Sequence, residues 1–592
     1  MRFAIATSTR SPSRGTAGNM YCRAIACDYD GTGASDGHLA PEVAEALHSA
    51  RDAGIVTLLV TGRVLDDLRV ALIDFSAFDA VVAENGAVVW FRETDRTIVL
   101  GAPPSEQLLG RLRAARIPFH AGAVVVGTWD THVPELIGLV RETAADLQLV
   151  FNRSAVMLLP SGINKAVGTQ RALDELGRSP RNLIAFGDAE NDLPLFGLAE
   201  LAVAARGSVP VVAAAADDRM RLPGAAGVAD WVRGLLERGG RMPTPQRLAI
   251  ALVSADDGTP AVLRPDGGNV LVSGDPGSGK SWVAGLAVEY LMEAGYRVCV
   301  FDPESDHAAV GHRPGAIVLG REIALPGADD LGTVIADAGV SLVIDLTSLP
   351  YEKKRQYVGR GLASICAERA RSGIPHTIIV DEAHHFFGAG AHPSADAAVQ
   401  TGNVLLVTCR PRLIVPHILE SIGAFILTQT TVEQERYFVD ALLRTRGPAD
   451  LDVSTALRAL ESRRSGLLSR EDAVPRWQTF APRPRLSPQT IHTRRYANIA
   501  LPPEKGFFFR LPDDGTVAAA RTLEEFDHAL ASVPTASLHH HVARGDFSRW
   551  ARDVLGDVDL AAGLAKLEAT SGTGAPVERE ELRRHLHARY VL

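Results

Sequence analysis

Over roughly the first 240 residues the chain repeats one arrangement: a short apolar run rich in β-branched and small residues, a polar turn, then a longer stretch with helical spacing. YCRAIACDYDGTGASDG, from Tyr21, predicts a buried strand ending at Asp28 and Asp30 and running into a Gly-Thr-Gly turn. GIVTLLVTGR predicts a second strand ending in Thr61, Gly62 and Arg63. RNLIAFGDAENDLPLF predicts a third, ending in Gly187 and Asp188, with Asp192 four residues on. Strands alternating with helices form open α/β sheets, which bind ligands at the carboxyl ends of their strands. Three strand ends carrying carboxylates and a hydroxyl therefore point to one shared edge where chemistry is done.

Phosphoryl transfer suits those groups. One carboxylate attacks phosphorus, a second protonates the leaving oxygen and then activates water, and carboxylates hold a magnesium ion against the phosphate charge. The stretch GINKAVG adds Lys165, one of only six lysines against 55 arginines. Where arginine is the default cation, a retained lysine marks a place that calls for a compact point charge. Lys353 and Lys354, in YEKKRQY, read as solvated.

The pieces DYDGT, VTGR, GINKAVG and GDAENDLPLF resemble, in order and character, the haloacid dehalogenase (HAD) superfamily, and AENGA (Ala83 to Ala87) resembles its Cof-type, IIB branch. The resemblance spans about residues 21–237 and implies a Rossmann-like core. It implies Asp28 as nucleophile, Asp30 as general acid/base, Thr61 and Lys165 as phosphate-binding groups, and a Mg2+ site of Asp28, Asp30, Asp188 and Asp192, with Asn191 as a helper. The substrate it implies is a small phosphorylated metabolite, with sugar phosphates the favoured class. About a hundred residues separate Thr61 from Lys165, where this branch inserts an α/β cap, here expected at about residues 87–161. Gly33 stands where the family usually has leucine.

Composition shifts after Asp230, and LLERGGRMPTPQRLAIAL reads as a helix end followed by a linker. NVLVSGDPGSGKSW then matches GxxxxGK[ST] in full between a strand pattern and the helical pattern WVAGLAVEYLMEAG. Gly274, Asp275, Pro276, Gly277, Ser278 and Gly279 form the loop whose amides cradle phosphates; Lys280 reaches the β and γ phosphates of ATP, and Ser281 ligates Mg2+. HTIIVDEAHHFF ends a strand at Asp381 and Glu382, which suits a magnesium shell and a residue that polarises the attacking water. His384 and His385 read as packing or loop residues. With VCVFDPESDH and LLVTCRPRLIVPHILESIGAFILTQTT, this region resembles the HerA/FtsK-like ATPases, with a RecA-like domain expected over residues 247–480. That resemblance implies hexameric rings with an arginine supplied in trans; Arg444, Arg446, Arg463 and Arg464 are candidates. Cys409 replaces the usual sensor glutamine. Glu433 to Ala497 hold twelve arginines against eight acidic residues, a mildly basic stretch that gives little support to a nucleic-acid track.

A Pro/Arg-rich linker leads to residues 500–592. There FFFRLPDDG predicts a hairpin, several segments predict helices, Asp546 is the expected N-cap of DFSRW, and His539 to His541 predict a partly exposed helix. The expected fold is multidomain α/β: the Rossmann-like core with its cap, the RecA-like domain, and a small helical accessory domain. A length of 592 residues fits about three or four domains. Apolar content of 46% and charged content of 22% exclude a mainly disordered chain. Five scattered cysteines give neither a disulfide framework nor a zinc site, and no apolar run reaches the roughly 18 residues of a membrane span. A cytoplasmic protein follows, with residues 1–20 a disordered extension and Met20 a candidate start. A net charge of -9 argues against indiscriminate nucleic-acid binding. The leading expectation is a phosphatase coupled to an ATPase; the alternatives are a nucleic-acid motor with an accessory phosphatase unit, and an assembly switched by ATP.

Overall fold

Strand Ala24–Asp28 is buried along its whole length, its residues alternating between two apolar layers. Ile25 and Cys27 join Leu59 and Val81 on one face, while Ala24 and Ala26 join Leu58, Val60 and Val82 on the other. That is the period of two expected of a strand covered on both sides. In the computed structural model the described residues are 20–35, 37–71, 75–143, 146–242, 245, 247, 250–254, 260–263, 268–461, 464–471, 474–483, 485, 501, 503–513, 515–555, 558–571 and 579–587. Residues 1–19 of the expected N-terminal extension and Arg463 lie outside them, while Met20, expected in that extension, pairs with Met242 in a two-residue strand.

The central strand belongs to an eight-stranded sheet. Its spatial order is Asp218–Pro223, Leu201–Arg206, Leu183–Gly187, Ala24–Asp28, Val56–Val60, Ala80–Ala83, Val88–Phe91 and Arg96–Val99. All neighbours pair in parallel except Val88–Phe91, which is antiparallel to both Ala80–Ala83 and Arg96–Val99. The hairpin Val88–Phe91 with Arg96–Val99 therefore extends the core sheet, and the inserted cap begins near residue 100 rather than at 87. Glu84 and Asn85, both with positive φ, and Gly86 reverse the chain so that Val82 pairs with Val89 and VVWF is buried. A buried edge strand and a small cap strand look alike in sequence.

The cap is a four-stranded sheet in the order Leu147–Asn152, Ala155–Pro160, Val126–Trp129, His120–Ala121. Helices Glu106–Ala114 and Val133–Thr143 accompany it, and Leu108, Leu112, Leu136, Val156 and Leu158 form its own small core.

A nine-stranded sheet follows. Its order is Ala316–Leu319, Ser341–Asp345, Val298–Asp302, Thr377–Val380, Val404–Thr408, Asn269–Ser273, Ile422–Leu427, Ser465–Glu471 and Val474–Phe480, all neighbours pairing in parallel except Ser465–Glu471, which is antiparallel to both of its own. Both sheets lie in one compact unit, Met1–Pro303 with Val310–Ser487. One apolar cluster runs from Ile25 and Phe186 to Val270 and Tyr296, so the two modules read as separate in the sequence share a core. Polar contacts reinforce it: the Tyr296 hydroxyl donates to both Glu200 oxygens at 3.0 and 3.1 Å, Arg181 lies 3.4 Å from Glu200, and His376 Nε2 is 3.1 Å from Asn182 Oδ1.

The second compact unit, Glu304–Ala309 with Pro488–Leu592, holds the hairpin Phe507–Arg510 with Thr516–Ala520 and helices Leu523–Ser532, Thr535–Arg544, Asp546–Asp553, Val558–Ser571 and Arg579–His587. Phe507, Phe509, Phe526, Phe547 and Trp550 form its aromatic centre. Asp546 is the first helical residue rather than the cap; left-handed Gly545 takes the cap position, and Asp546 bonds His541 Nδ1 at 2.8 Å instead.

Candidate active site

The carboxyl ends of three neighbouring strands carry the expected groups. Asp28 ends the central strand opposite Val60, Thr61 follows Val60, and Asp188 follows strand Leu183–Gly187. Lys165 comes from the helix Lys165–Glu175. The Asn164 side chain caps that helix, accepting from the amides of Ala166 and Val167 at 3.0 and 3.2 Å, an interaction worth about 1 kcal/mol. This fixes Lys165 at the first helical position, where the helix dipole opposes a cation. Two carboxylates outweigh it: Nζ donates to Asp28 Oδ1 at 2.5 Å and to Asp192 Oδ1 at 2.6 Å. Gly86 makes the approach possible, since at φ +102° a Cβ there would stand 1.9 Å from the Asn164 carbonyl oxygen.

Asp192 uses both oxygens, the second accepting from the amides of Asp188 and Ala189 at 2.8 and 3.1 Å. It thus holds the Gly187–Asp188 turn and Lys165 together. Asp188 accepts from Thr32 Oγ1 at 3.4 Å and from the Arg153 guanidinium of the cap, whose Nε is 3.1 Å from Oδ2 and whose Nη2 bonds the same oxygen. Asp30 stands apart from the other carboxylates, its oxygens gripped by Arg63 Nε at 2.8 Å and Nη2 at 2.6 Å. The Thr61 hydroxyl accepts from the Arg63 amide at 3.2 Å, and Asn191 Nδ2 donates to Asn85 Oδ1 at 3.1 Å.

Asp28, Asp188 and Asp192 bring one oxygen each within 4.8 Å of one another, and all three are buried. Burial, opposed by Lys165 and reinforced by Asp192 and Asp188, raises Asp28 well above the ordinary aspartate value. Burial also raises Asp188, against the pull of Arg153. Burial works against the Lys165 ammonium, but Asp192 and Asp28 win and raise it above the ordinary lysine value. Lys165 meets two of the three buried carboxylates and Arg153 of the cap meets the third, and an all-oxygen donor set fits Mg2+. Asp30 is not in that group. Sequence reasoning missed Arg153; the only signal was an arginine at the turn of the apolar hairpin LVFNRSAVMLL.

At the second sheet, the loop Gly274 to Gly279 joins strand Asn269–Ser273 to helix Lys280–Glu293, as the motif requires, with Gly277 and Gly279 at positive φ. Asp275 accepts from the amide and hydroxyl of Thr431, both at 2.5 Å, and the Ser278 hydroxyl lies 2.6 Å from that of Thr428. The Lys280 ammonium is buried, makes no hydrogen bond among the described residues and lies 3.4 Å from Glu382 Oε1. Asp381 and Glu382 follow strand Thr377–Val380, and strand Val404–Thr408 lies between it and the loop-bearing strand. Glu382, His384 and Cys409 also bring ligand atoms within 4.8 Å of one another, a grouping the sequence reading did not pick out. Burial, with His385, Arg410 and Lys280 nearby, lowers His384 to about 3, so it is neutral near pH 7. Of the candidate trans arginines, Arg444 pairs with Asp440 and Arg446 donates to the Ile422 carbonyl.

A buried aspartate at a strand end, a lysine joined to it, and a carboxylate group fit for a divalent cation are an arrangement suited to phosphoryl transfer on a capped α/β fold. The haloacid dehalogenase-like hydrolase family matches residues 25–109 and 141–232. The chain is 30% identical over 219 residues to the phosphoglycolate phosphatase of Methanothermobacter thermautotrophicus, covering 36% of this chain and 97% of that protein. It is 33% identical over 189 residues to that of Halorubrum lacusprofundi, covering 30% and 80% respectively. A solved haloacid dehalogenase-like hydrolase from B. subtilis is 18% identical, with a TM-score of 0.32 over 36% of this chain and 99% of that one. The chain belongs to the haloacid dehalogenase-like hydrolases, and its N-terminal third is a phosphatase unit of that superfamily. No helix among the described residues is long and apolar enough to cross a membrane.

Proposed function

We infer that the N-terminal module hydrolyses a small phosphorylated metabolite through an aspartyl-phosphate on Asp28. The observation that carries this reading is the Lys165 ammonium shared between Asp28 and Asp192 at the strand edge. Asp28 attacks phosphorus, the bond to the leaving oxygen breaks, and Asp30 supplies its proton. Asp30 then takes a proton from water, whose oxygen displaces Asp28 and releases phosphate. Lys165 and the Thr61 hydroxyl hold the transferring oxygens, and Asp192 positions Lys165. Arg63 holds both oxygens of Asp30 in the unliganded chain, so Asp30 leaves that pair and takes up a proton before it acts. Asp28 and Asp188, with Asp192 beside them, would hold Mg2+, which when bound offsets phosphate charge. Phosphoglycolate, named for two relatives, joins sugar phosphates as a first candidate substrate. Asp28→Asn in the full chain tests the reading: release of phosphate from an aryl phosphate should disappear, and its survival would refute the assignment.

The second module is read as an ATP-binding and hydrolysing domain of HerA-like type. The buried Lys280 ammonium at the head of its helix supports this, because an ammonium held by an ion pair at 3.4 Å and by no hydrogen bond among the described residues suits an incoming phosphate. Ser281 and Asp381 would hold the Mg2+ of the nucleotide, and Glu382 would polarise water. Regulation of the phosphatase by nucleotide has structural support. Tyr296, just beyond the Lys280 helix, bonds Glu200, two residues past the helix Leu193–Leu198 that follows Asp192. ATP should then change the phosphatase rate in the wild type and not in Lys280→Ala; a rate blind to ATP in both removes this coupling.

A further inference from the structure

The cap hairpin Leu147–Asn152 with Ala155–Pro160 turns through Arg153 and Ser154, and the turn rests on the loop after strand Leu183–Gly187. The Arg153 amide donates to Glu190 Oε2 at 3.1 Å while its guanidinium reaches Asp188. Arg153 holds φ +53°, a left-handed conformation that costs arginine more than glycine or asparagine. A turn with no task beyond reversing the chain is better served by Asn-Gly or Gly-Gly. Arg153 adopts that conformation with its guanidinium on Asp188. Its side chain is 51% exposed whereas that of Asp188 is 2%, so the guanidinium approaches the carboxylates from the open side of the site.

We propose that Arg153 determines the specificity of the phosphatase site by pairing with a carboxylate carried on a short phosphorylated substrate. The proposal rests on the phosphatase reading and on the fit of the carboxylate group to a divalent cation. A cation that takes Asp188 frees the fork of Arg153 on the cap side, facing the part of a substrate that lies beyond its phosphate. A guanidinium offers two parallel N–H groups, matching a carboxylate better than a hydroxyl-rich sugar. The substrate is short because Arg153 already touches Asp188, whose oxygen lies within 4.8 Å of that of the nucleophile. A long molecule would carry its distal groups past the fork.

The test compares two phosphate esters that differ in the carboxylate, 2-phosphoglycolate and ethyl phosphate. Calorimetry with Mg2+ measures their binding to the full-length chain made inactive by Asp28→Asn, with and without Arg153→Ala; steady-state kinetics on the Asp28-containing chain give KM and kcat for the same pair. Loss of a charge-assisted pair should weaken 2-phosphoglycolate about 10- to 100-fold and raise its KM alike, while ethyl phosphate changes by less than about threefold. Arg153→Lys should recover part of the difference. Equal losses for both esters would overturn the proposal and place Arg153 on the transferring phosphate. A wild type without preference for 2-phosphoglycolate would also overturn it, the phosphatase reading surviving if ethyl phosphate or an aryl phosphate is still hydrolysed. If no phosphate ester is bound or cleaved, the phosphatase reading fails and the proposal falls with it.

Discussion

Glu200 offers the sharpest check on how the two sheets are held together. It is 1% exposed at the start of strand Leu201–Arg206, and burial, opposed by Arg181, the Tyr296 hydroxyl and Arg247, raises its pKa from 4.5 to about 7. The folded protein therefore keeps a proton that the unfolded chain has released. Below about pH 4.5 both states are protonated and the group costs nothing. Between 4.5 and 7 the unfolded chain binds fewer protons, so stability falls as pH rises, by about 3 kcal/mol in all, and levels off above that. Glu200→Gln keeps an acceptor for Tyr296 and removes the titration. Urea midpoints for wild type and variant, measured at pH 5 and pH 8 on the same tryptophan-fluorescence transition, isolate this group because all other titrations are shared. A chain of this size unfolds in more than one step, so the difference between variants carries the information, not an absolute stability. The glutamine variant should gain on the wild type by roughly 2 to 3 kcal/mol between those pH values. Parallel profiles would mean that Glu200 is ionised when folded, that Arg181 at 3.4 Å outweighs burial, and that the reasoning is wrong.

Further outcomes are expected. Lys165→Arg keeps the charge but brings a planar fork into a fully enclosed space between Asp28 and Asp192, so kcat on an aryl phosphate should fall at least about 100-fold with the fold retained by circular dichroism. Gly86→Ala should destabilise the N-terminal module by about 2 kcal/mol or more in thermal melts and lower phosphatase activity, because the added carbon collides with the backbone that presents Lys165. Lys280→Ala should abolish ATP turnover in a phosphate-release assay while leaving hydrolysis of an aryl phosphate without ATP within about twofold. An ATPase rate unchanged by Lys280→Ala would remove the nucleotide site from the second module.

Much of the candidate site's placement was legible because its parts are local. A strand that ends in Asp28, a Thr61 after Val60 and an Asn164 cap directly before Lys165 each follow from a few consecutive residues. The glycine-rich loop between strand and helix was legible for the same reason. The cap boundary was not. VVWF fits a core edge strand as well as a cap strand, and the left-handed turn at Glu84 to Gly86 decides between them. The Asp546 cap failed because Gly545 could take the left-handed position and freed Asp546 for His541.

By itself the sequence determined which chemical groups stand at which strand ends, since the spacing of apolar runs sets where strands stop. Only the tertiary structure decided how those groups are shared. Asp192 lies 27 residues from Lys165 and Asp28 lies 137, yet both meet its ammonium. Arg63 holds Asp30, and Arg153 reaches from the cap onto Asp188. A buried charge takes its partner from whatever the packing brings within about 3 Å, and that choice is made between segments whose separation along the chain carries no information about their distance in space. The same reason hid the joining of the two sheets. The linker composition after Asp230 marks where the chain changes character, while the shared core from Phe186 to Tyr296 depends on surfaces that meet only when both modules are folded.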